Sequence, residues 1–304
     1  MPKKIVPALN GRTIRCLLFD FGETLWTHAD QIIWSTLEQS GNQQAVQILL
    51  EHCAADVPGK EELDALGDQV RNAVKAQTYL MAQVTPEHEP DFARATIEAL
   101  AQLGYANVDR ATGEAIFEAL RMPILESRML FDDVLSTLAV LQQRGFLLGV
   151  VTNRSWGGAP FLKDIGMLGL LDYFDPRHIA ISADLGVRKP ASAIFLHALN
   201  ALDVSPEEAA MVGDSLDADI TGAQRLKMFA IWKPKVRLQE KAQAKMLAKG
   251  MTTLQDEAYG NYMLEYARKK RAKQGQPLDE KIRPDMVIRR VTELLDVFTE
   301  VGKQ

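Results

Sequence analysis

The acid at position 20 is the first residue of this chain whose place suggests chemistry. Asp20 directly follows an apolar stretch, residues 14–19, that only Arg15 interrupts. Such a stretch predicts a buried parallel strand, and open α/β sheets bind their ligands at the carboxyl ends of their strands. A carboxylate at that edge can serve as a nucleophile or as a metal ligand. An acid after a strand can equally cap the helix that follows it.

Three later segments place further polar side chains at predicted strand ends. They contribute a hydroxyl group, an ammonium group and a pair of acids five residues apart, which are Thr152, Lys189, Asp214 and Asp219. Each also has a simpler interpretation. The threonine can be an ordinary strand-end residue, the lysine a surface residue before Pro190, and the acids can favour the N-terminus of the next helix through its dipole.

The ordered set of acid, hydroxyl, lysine and paired acids resembles the four motifs of the haloacid dehalogenase-like hydrolase superfamily. The resemblance extends over most of the chain, apart from a variable segment after the first motif and a late insertion. It implies a phosphohydrolase. Asp20 would attack phosphorus to form an aspartyl-phosphate, while Thr152 donates a hydrogen bond and Lys189 a positive charge to the phosphoryl oxygens.

The resemblance also implies a Mg²⁺ site. Its ligands would be the carboxylates of Asp20 and Asp214 and the backbone carbonyl of Gly22, which any side chain at that position would preserve. Asp219 would hold a metal-bound water or orient Lys189. These are the hard oxygen donors that Mg²⁺ prefers.

A small phosphorylated molecule is the substrate that the resemblance implies. Four residues near the motifs are predicted to touch it or to line the entrance, and these are Asn153, Arg154, Trp26 and His28. The first two can equally be turn residues.

Position 22 departs from the family pattern. Phosphatases of this family usually carry a second aspartate two residues after the nucleophile, where it protonates the leaving oxygen and later activates water, but this chain has Gly22. General acid–base catalysis is worth about 10²- to 10⁴-fold in rate. Acyl phosphates, anhydrides and aryl phosphates need less protonation and are therefore the expected substrates. A nearby acid or histidine could also substitute, although each histidine can be an ordinary surface or packing residue: Glu23, His28, His52 and His88.

Two other functions stay open. The haloacid dehalogenase branch also lacks an acid at the second position, because a halide leaves without a proton, but it needs no metal and usually lacks the acid equivalent to Asp214. A degenerate member of the family could instead act as a non-catalytic binding or scaffold protein. The missing general acid favours that hypothesis, and the other motif residues count against it.

The composition bounds the class of protein. The 304 residues are 47% hydrophobic and 25% charged, which is typical of a globular protein with one or two cores. The sequence has no apolar stretch of membrane-spanning length, and its Met1–Lys4 start does not resemble a secretory signal, so a cytoplasmic location is expected. A net charge of −5 gives no general reason to bind nucleic acid. A monomer or homodimer is expected.

The order of predicted elements indicates the fold. From residue 132 onward helices and strands alternate, which predicts an α/β fold with a doubly wound, Rossmann-like parallel sheet. Residues 28–125 have helical periodicity and predict an all-helical cap inserted after the first motif, so residues 1–27 and 126–304 form the core. The breaks in the cap are expected at 58–59, 86–90 and Gly104. A cap at that point of the chain would hang over Asp20 and could exclude water.

Residues 235–283 are predicted to be a helical, basic insertion in the core. Basic side chains recur there at four-residue spacing, and a second basic run occupies residues 268–271; the spaced residues are Arg237, Lys241, Lys245 and Lys249. A solvated helix face, a dimer arm or a surface that attracts acidic ligands would each explain the stripe. A short strand at 284–288 and a helix at 291–298 are predicted to close the core.

Overall fold

A computed structural model describes residue 9 and residues 11–53, 59–248 and 256–300, and it describes no side chain for residues 256 and 257. The Met1–Lys4 start, Pro58 and Lys249, on which predictions were made above, lie outside the described residues. No helix in the described part of the chain is both long and apolar enough to reach across a bilayer.

The predicted parallel sheet is confirmed. Six strands pair in the order β5-β4-β1-β6-β7-β8, every pair is parallel, and β2 and β3 form a separate antiparallel ribbon. The strands are β1 (Cys16–Phe19), β2 (Trp26–His28), β3 (Arg128–Leu130), β4 (Leu147–Thr152), β5 (Ile179–Ile181), β6 (Ala209–Gly213), β7 (Phe229–Trp232) and β8 (Met286–Val287).

The α-helices follow the predicted alternation of helices and strands. Before the second half of the core lie α1 (Gln31–His52), α2 (Lys60–Val84), α3 (Phe92–Gln102), α4 (Arg110–Ala119) and α5 (Ile124–Ser127). The remaining helices are α6 (Val134–Gln143), α7 (Gly158–Met167), α8 (Ser182–Leu185), α9 (Ser192–Leu202), α10 (Thr221–Arg225), α11 (Val236–Leu247) and α12 (Asp256–Lys273). A π-helical turn, Leu216–Ile220, directly precedes α10.

The central strand β1 contributes side chains to two hydrophobic cores, because successive side chains of a strand point to opposite faces of the sheet. Leu17 and Phe19 pack into the core on one face, whereas Cys16 and Leu18 pack into the core on the other. All four residues are fully buried. This two-faced burial explains why the strand lacks the polar alternation of an exposed sheet.

The closing helix predicted at 291–298 is instead a short 3₁₀ helix, Val291–Asp296. Arg144 donates hydrogen bonds from Nη1 to the carbonyl oxygens of Leu295 (2.7 Å) and Phe298 (2.8 Å). These carbonyls are therefore bound by a side chain from α6 rather than by the amides of a further helical turn.

The helices of residues 31–120 form a hydrophobic cluster of their own. Its buried members come from α1 to α4 and from the connections beside them, and include Val46, Leu49, Val70 and Leu100. Arg71 lies inside this layer, where Nη1 donates to the carbonyl of Leu120 at 3.0 Å. The chain leaves the sheet through β2 and returns through β3, a ribbon that the sequence interpretation missed because three-residue strands carry little periodicity.

This helical layer is joined to the sheet beside the predicted catalytic lysine. Residues 87–89, between α2 and α3, pair with residues 186–188 through two backbone hydrogen bonds of 3.0 Å. Farther along, the ring of Phe117 stacks on Trp156, which follows β4, with centroids 4.5 Å apart. The layer therefore contacts the segment that immediately precedes Lys189.

The insertion after β7 is helical, as predicted. Buried residues of α11 and α12, including Ala242, Met246 and Met263, pack into the same core as Cys16. The basic residues of α11 lie on its other side, and Arg237, Lys241 and Lys245 are all exposed.

Candidate active site

Asp20 lies at the carboxyl end of the central strand. Phe19 pairs with Val150 of β4 and with Val212 of β6, so Asp20 is flanked by two parallel neighbours. The amide of Asp20 donates to the carbonyl of Val212 at 2.9 Å, and the residue is only 7% exposed. The sheet thus fixes the backbone of the acid and leaves its carboxylate beyond the last strand pair.

Lys189 reaches this carboxylate from the segment after α8. Its Nζ donates to Asp20 Oδ1 at 2.7 Å, to Asp219 Oδ1 at 2.6 Å and to the carbonyl of Val151 at 2.7 Å. Burial disfavours the charged ammonium, but the two carboxylates outweigh it and raise the pKa of Lys189 above its ordinary value. The three protons of the ammonium are all used, and the lysine stays charged.

Asn153 holds the backbone of this lysine. Its Nδ2 donates to the carbonyl of Lys189 at 3.0 Å, and its Oδ1 accepts from the amide of Lys189 at 2.8 Å. Both polar groups of the amide are therefore engaged with the lysine segment. The predicted contact of Asn153 with substrate stays a prediction, whereas a positioning role is visible in these two bonds.

Asp219 links the lysine to the loop after β6. Its Oδ2 accepts from the amide of Ser215 at 2.8 Å, while Oδ1 accepts from Lys189. A Cβ atom on Gly213 would lie 2.2 Å from Asp219 Cγ, so the carboxylate occupies the space that glycine leaves open. Burial raises the pKa of Asp219 to about 6, although the charge of Lys189 lowers it.

The acids of the first and fourth motifs meet. One carboxylate oxygen from each of Asp20, Asp214 and Asp219 lies within 4.8 Å of the others. Asp214 Oδ2 is buried and has no hydrogen-bond partner in the described chain, although Lys235 Nζ forms an ion pair with it at 3.1 Å. Burial and the negative charges of Asp219 and Asp20 raise the pKa of Asp214 to about 7.

This donor set fits a divalent cation. Three carboxylates converge on two ammonium groups, those of Lys189 and Lys235, which leaves one negative charge uncompensated. Oxygen donors of this kind are the preferred ligands of Mg²⁺. The buried Oδ2 of Asp214, whose described partner is the ammonium of Lys235 at 3.1 Å, is an atom that such an ion would also bind.

The glycine at position 22 leaves room for a side chain. A Cβ atom built on Gly22 would meet only Asp20 Oδ2, at 3.8 Å, which is an ordinary van der Waals contact. The adjacent Glu23 points elsewhere, because its Oε1 accepts from Thr27 Oγ1 at 3.3 Å and lies 3.9 Å from His28 Nε2. The place of the usual second aspartate is therefore open and faces Asp20.

Thr152 is the last residue of β4 and is 2% exposed. It lies one residue beyond Val151, whose carbonyl accepts from Lys189. Thr152, the hydroxyl residue of the second motif, is therefore the direct neighbour of the residue whose carbonyl binds Lys189.

The other predicted contact residues differ in their surroundings. Trp26 is 1% exposed and stacks on Phe21 with centroids 4.5 Å apart, so its ring belongs to the core rather than to an open entrance. His28 is more exposed and lies edge-on to Trp34 at 4.5 Å. The guanidinium of Arg154 lies 4.5 Å above the ring of Phe161.

The described contacts of the two histidines in the helical layer, His52 and His88, do not include the acid cluster. His52 Nδ1 is 3.1 Å from Thr112 Oγ1, and its Nε2 is 3.4 Å from the carbonyl of Asn107. His88 belongs to the backbone pairing with Val187. Neither makes a described contact with Asp20.

Two lysines of the site were missed in the sequence. Lys233 is 2% exposed and donates to the carbonyl of Glu23 at 2.9 Å, and burial lowers its pKa to about 8. Lys235 pairs with Asp214, as described above. Both directly follow β7, so the rule that drew attention to the other strand ends would have found them in the sequence Lys-Pro-Lys.

Comparison with known proteins agrees with this arrangement. The profile of the family "haloacid dehalogenase-like hydrolase" matches residues 14–227, which is more than half of the chain. The chain therefore belongs to this family of hydrolases. Its parallel sheet carries a cluster of acids and a lysine at the carboxyl ends of the strands.

Individual relatives carry more specific names. A glyceraldehyde 3-phosphate phosphatase of Methanopyrus kandleri is 27% identical over 227 residues, which is 72% of this chain and 83% of the relative. A phosphoserine phosphatase of Thermus thermophilus is 33% identical over 181 residues, 59% of this chain and 66% of the relative.

Solved structures share the fold. A 2-haloacid dehalogenase from Pseudomonas syringae superposes with a TM-score of 0.52 at 25% identity, covering 94% of this chain and 98% of that one. A phosphatase of the same family from Thermococcus onnurineus gives 0.51 at 20% identity, covering 93% and 96%. At the latter identity the likeness concerns the fold alone.

Proposed function

We propose that this protein is a Mg²⁺-dependent phosphohydrolase that acts on a small phosphorylated molecule through an aspartyl-phosphate. The observation that carries the proposal is the trio of carboxylates of Asp20, Asp214 and Asp219, each of which brings one oxygen within 4.8 Å of the others. A buried excess of negative charge is costly unless a cation balances it. The names of the relatives support a phosphorylated substrate.

Each motif residue has a role in this reaction. The carboxylate of Asp20 attacks phosphorus, and Thr152 and Lys189 bind the phosphoryl oxygens. Because all three Nζ protons of Lys189 are already used, we expect a phosphoryl oxygen to replace its contact with Asp20. Asp219 keeps the lysine in place during that exchange.

The proposed metal site consists of Asp20, Asp214 and the carbonyl of Gly22. Bound there, Mg²⁺ supplies positive charge to the phosphoryl oxygens. Asp219 is the less direct member of the set, because its two oxygens already accept from Lys189 and Ser215.

The open position at Gly22 decides the preferred leaving group. Phosphates whose leaving group departs without protonation, such as acyl or aryl phosphates, are the proposed substrates. Glu23 does not supply the missing acid in this arrangement, because Thr27 donates to its carboxylate.

We propose that residues 28–125 act as a cap over this site, on a core formed by residues 1–27 and 126–304. The pairing of residues 87–89 with residues 186–188 supports this, because it joins the helical layer to the segment that carries Lys189. A layer anchored there can exclude water from the reacting phosphate.

A dehalogenase is the second candidate. The glycine at position 22 and the 25% identity with a solved 2-haloacid dehalogenase favour it. The presence of Asp214 in the acid cluster favours metal-assisted phosphate chemistry instead.

One assay separates these hypotheses. The protein is incubated with acetyl phosphate, p-nitrophenyl phosphate or 2-chloropropionate, first with Mg²⁺ and then with EDTA. We expect phosphate release that requires Mg²⁺ and is lost in Asp20→Asn. Asp217→Asn is the control, because this acid, in the loop after β6, is exposed and pairs with Arg271 outside the cluster.

Release of chloride in EDTA would instead identify a dehalogenase. Silence on all three compounds, from a protein that melts cooperatively, would favour the binding or scaffold hypothesis.

A further inference from the structure

Arg154 carries a guanidinium group that forms no ion pair within the described part of the chain and on which the charge of Asp20 acts. The guanidinium lies 4.5 Å from the ring centroid of Phe161 and 5.7 Å from that of Trp26. Its Nε is buried and has no hydrogen-bond partner among the residues described. The backbone is fixed, because the amide of Arg154 donates to Ser182 Oγ at 2.8 Å. A rigid, partly desolvated cation is thus held over the loop that begins with Asp20.

Arg128 is a second such group. It lies on β3, opposite His28 of β2, and its guanidinium is 4.7 Å from the ring centroid of Trp34. Nη1 donates to the carbonyl and to Oγ of Ser127, at 2.9 and 3.0 Å. Within the described part of the chain this arginine also forms no ion pair.

The charge of Arg128 acts on Arg154. Burial, followed by the charge of Arg128, lowers the pKa of Arg154 to about 10, and the charge of Asp20 partly offsets this. Burial alone lowers the pKa of Arg128 to about 10 against the charge of Glu23. Like charges that share a desolvated region destabilise a protein unless an anion lies between or beside them.

Many other arginines of the described chain differ from Arg154 and Arg128 in having acid partners. Those that form ion pairs with acids include Arg15, Arg71, Arg94, Arg110, Arg121, Arg177, Arg188, Arg225, Arg268, Arg271 and Arg290. Aromatic rings hold Arg154 and Arg128 in place while leaving donor groups unused. Arginine presents a planar fork of donors that matches the geometry of carboxylates and phosphates.

We propose that the substrate carries a second anionic group, a carboxylate or another phosphate, and that Arg154 and Arg128 bind it while Asp20 receives the phosphoryl group. This inference rests on the proposed function, since it assigns the rest of the molecule that is hydrolysed. The two arginines are specificity-determining residues in this assignment.

The test uses compounds that bind but are not hydrolysed. Methylphosphonate has no second anion, phosphonoacetate and 3-phosphonopropionate add a carboxylate, and 1,2-ethylenediphosphonate adds a second phosphonate. Their dissociation constants are measured by calorimetry with Mg²⁺ present. We expect at least one of the doubly charged compounds to bind about tenfold or more tightly than methylphosphonate.

The variants Arg154→Met and Arg128→Met remove the charge and keep an unbranched side chain that can still pack on an aromatic ring. Each should lower this preference about tenfold, and Arg154→Lys should restore part of it. Arg121→Met is the matched control, because the charge of Arg121 also acts on Arg154 but the residue pairs with Glu118 at 2.8 Å. The control should keep the preference.

Equal binding of all four compounds to the natural protein would overturn the inference, as would an equal loss of preference in Arg154→Met and Arg121→Met. If a carboxylate compound binds most tightly relative to methylphosphonate, the second anion is a carboxylate. If 1,2-ethylenediphosphonate binds most tightly, the second anion is a phosphate. Phosphate release from p-nitrophenyl phosphate is followed in parallel. A binding preference without any release would contradict the proposed hydrolysis while supporting the anion site.

Discussion

Replacing Asp214 with asparagine should stabilise the protein in the absence of metal. The pKa of Asp214 is about 7 in the folded chain, against an ordinary value of 3.8. The folded state therefore holds this proton more tightly than the unfolded state does. The free energy of unfolding should therefore fall as the pH rises from about 4 to about 7. Above about pH 7 the full destabilisation caused by the ionised Asp214 should be present.

The size of the effect follows from the same shift. A difference of about 3 pKa units corresponds to about 4 kcal/mol, which is an upper limit for what asparagine can recover at alkaline pH. The side chain of Asp214 is only 9% exposed, so water does little to screen the interaction. At roughly 2 °C per kcal/mol for a chain of this size, the variant should melt several degrees higher.

Thermal unfolding in EDTA at about pH 8.5 and about pH 5.5 tests this reasoning. The Asp214→Asn variant should have a higher melting temperature than the natural protein at the higher pH. The difference in melting temperature should be smaller at the lower pH, because Asp214 is protonated there in the natural protein. Added Mg²⁺ should then raise the melting temperature of the natural protein more than that of the variant.

The exposed acid Asp217 provides the control, because Asp217→Asn should shift neither the pH dependence nor the response to Mg²⁺. A variant at position 214 that melts below the natural protein at alkaline pH in EDTA would refute the argument. So would a difference between the two proteins that does not change with pH.

Three further substitutions test the geometry of the site. Gly213→Ala should displace the carboxylate of Asp219, which lies 2.2 Å from the added Cβ, and should cost about 2 to 4 kcal/mol in urea unfolding; Gly59→Ala, where nothing lies within 4 Å, should cost far less. Gly22→Asp should raise kcat for alkyl phosphates by up to about 10²-fold and change acetyl phosphate turnover little, and no gain in a folded variant would count against the missing acid. Asn153→Ala should lower kcat about 10- to 100-fold with a small change in melting temperature, because it loosens the backbone of the catalytic lysine; an unchanged kcat would argue against this role.

Some features of the site follow from local sequence alone. Burial on both faces of a parallel sheet leaves an uninterrupted apolar run, and the first polar residue after that run must lie at the sheet edge. This is why Asp20, Thr152 and Asp214 could be assigned to one edge without coordinates. The order of helices and strands was equally accessible, because crossover connections between parallel strands follow few rules.

Other features depended on which side chains meet across the fold. Asp20 and Lys189 are 169 positions apart, and only the strand order brings the ammonium to three oxygens at once. The place of Trp26 in the core, rather than at an entrance, depends on its stacking with Phe21. Partners of this kind are set by packing between distant elements, which periodicity does not encode.

The sequence by itself determined an α/β sheet and the strand ends at which Asp20, Thr152 and Asp214 lie. Tertiary structure alone decided that Lys235 pairs with Asp214 and that Arg128 and Arg154, which form no ion pair within the described residues, both pack against aromatic rings. The reason is physical: backbone pattern is fixed by neighbours along the chain, whereas the net charge around a buried atom is the sum over every element that packs against it.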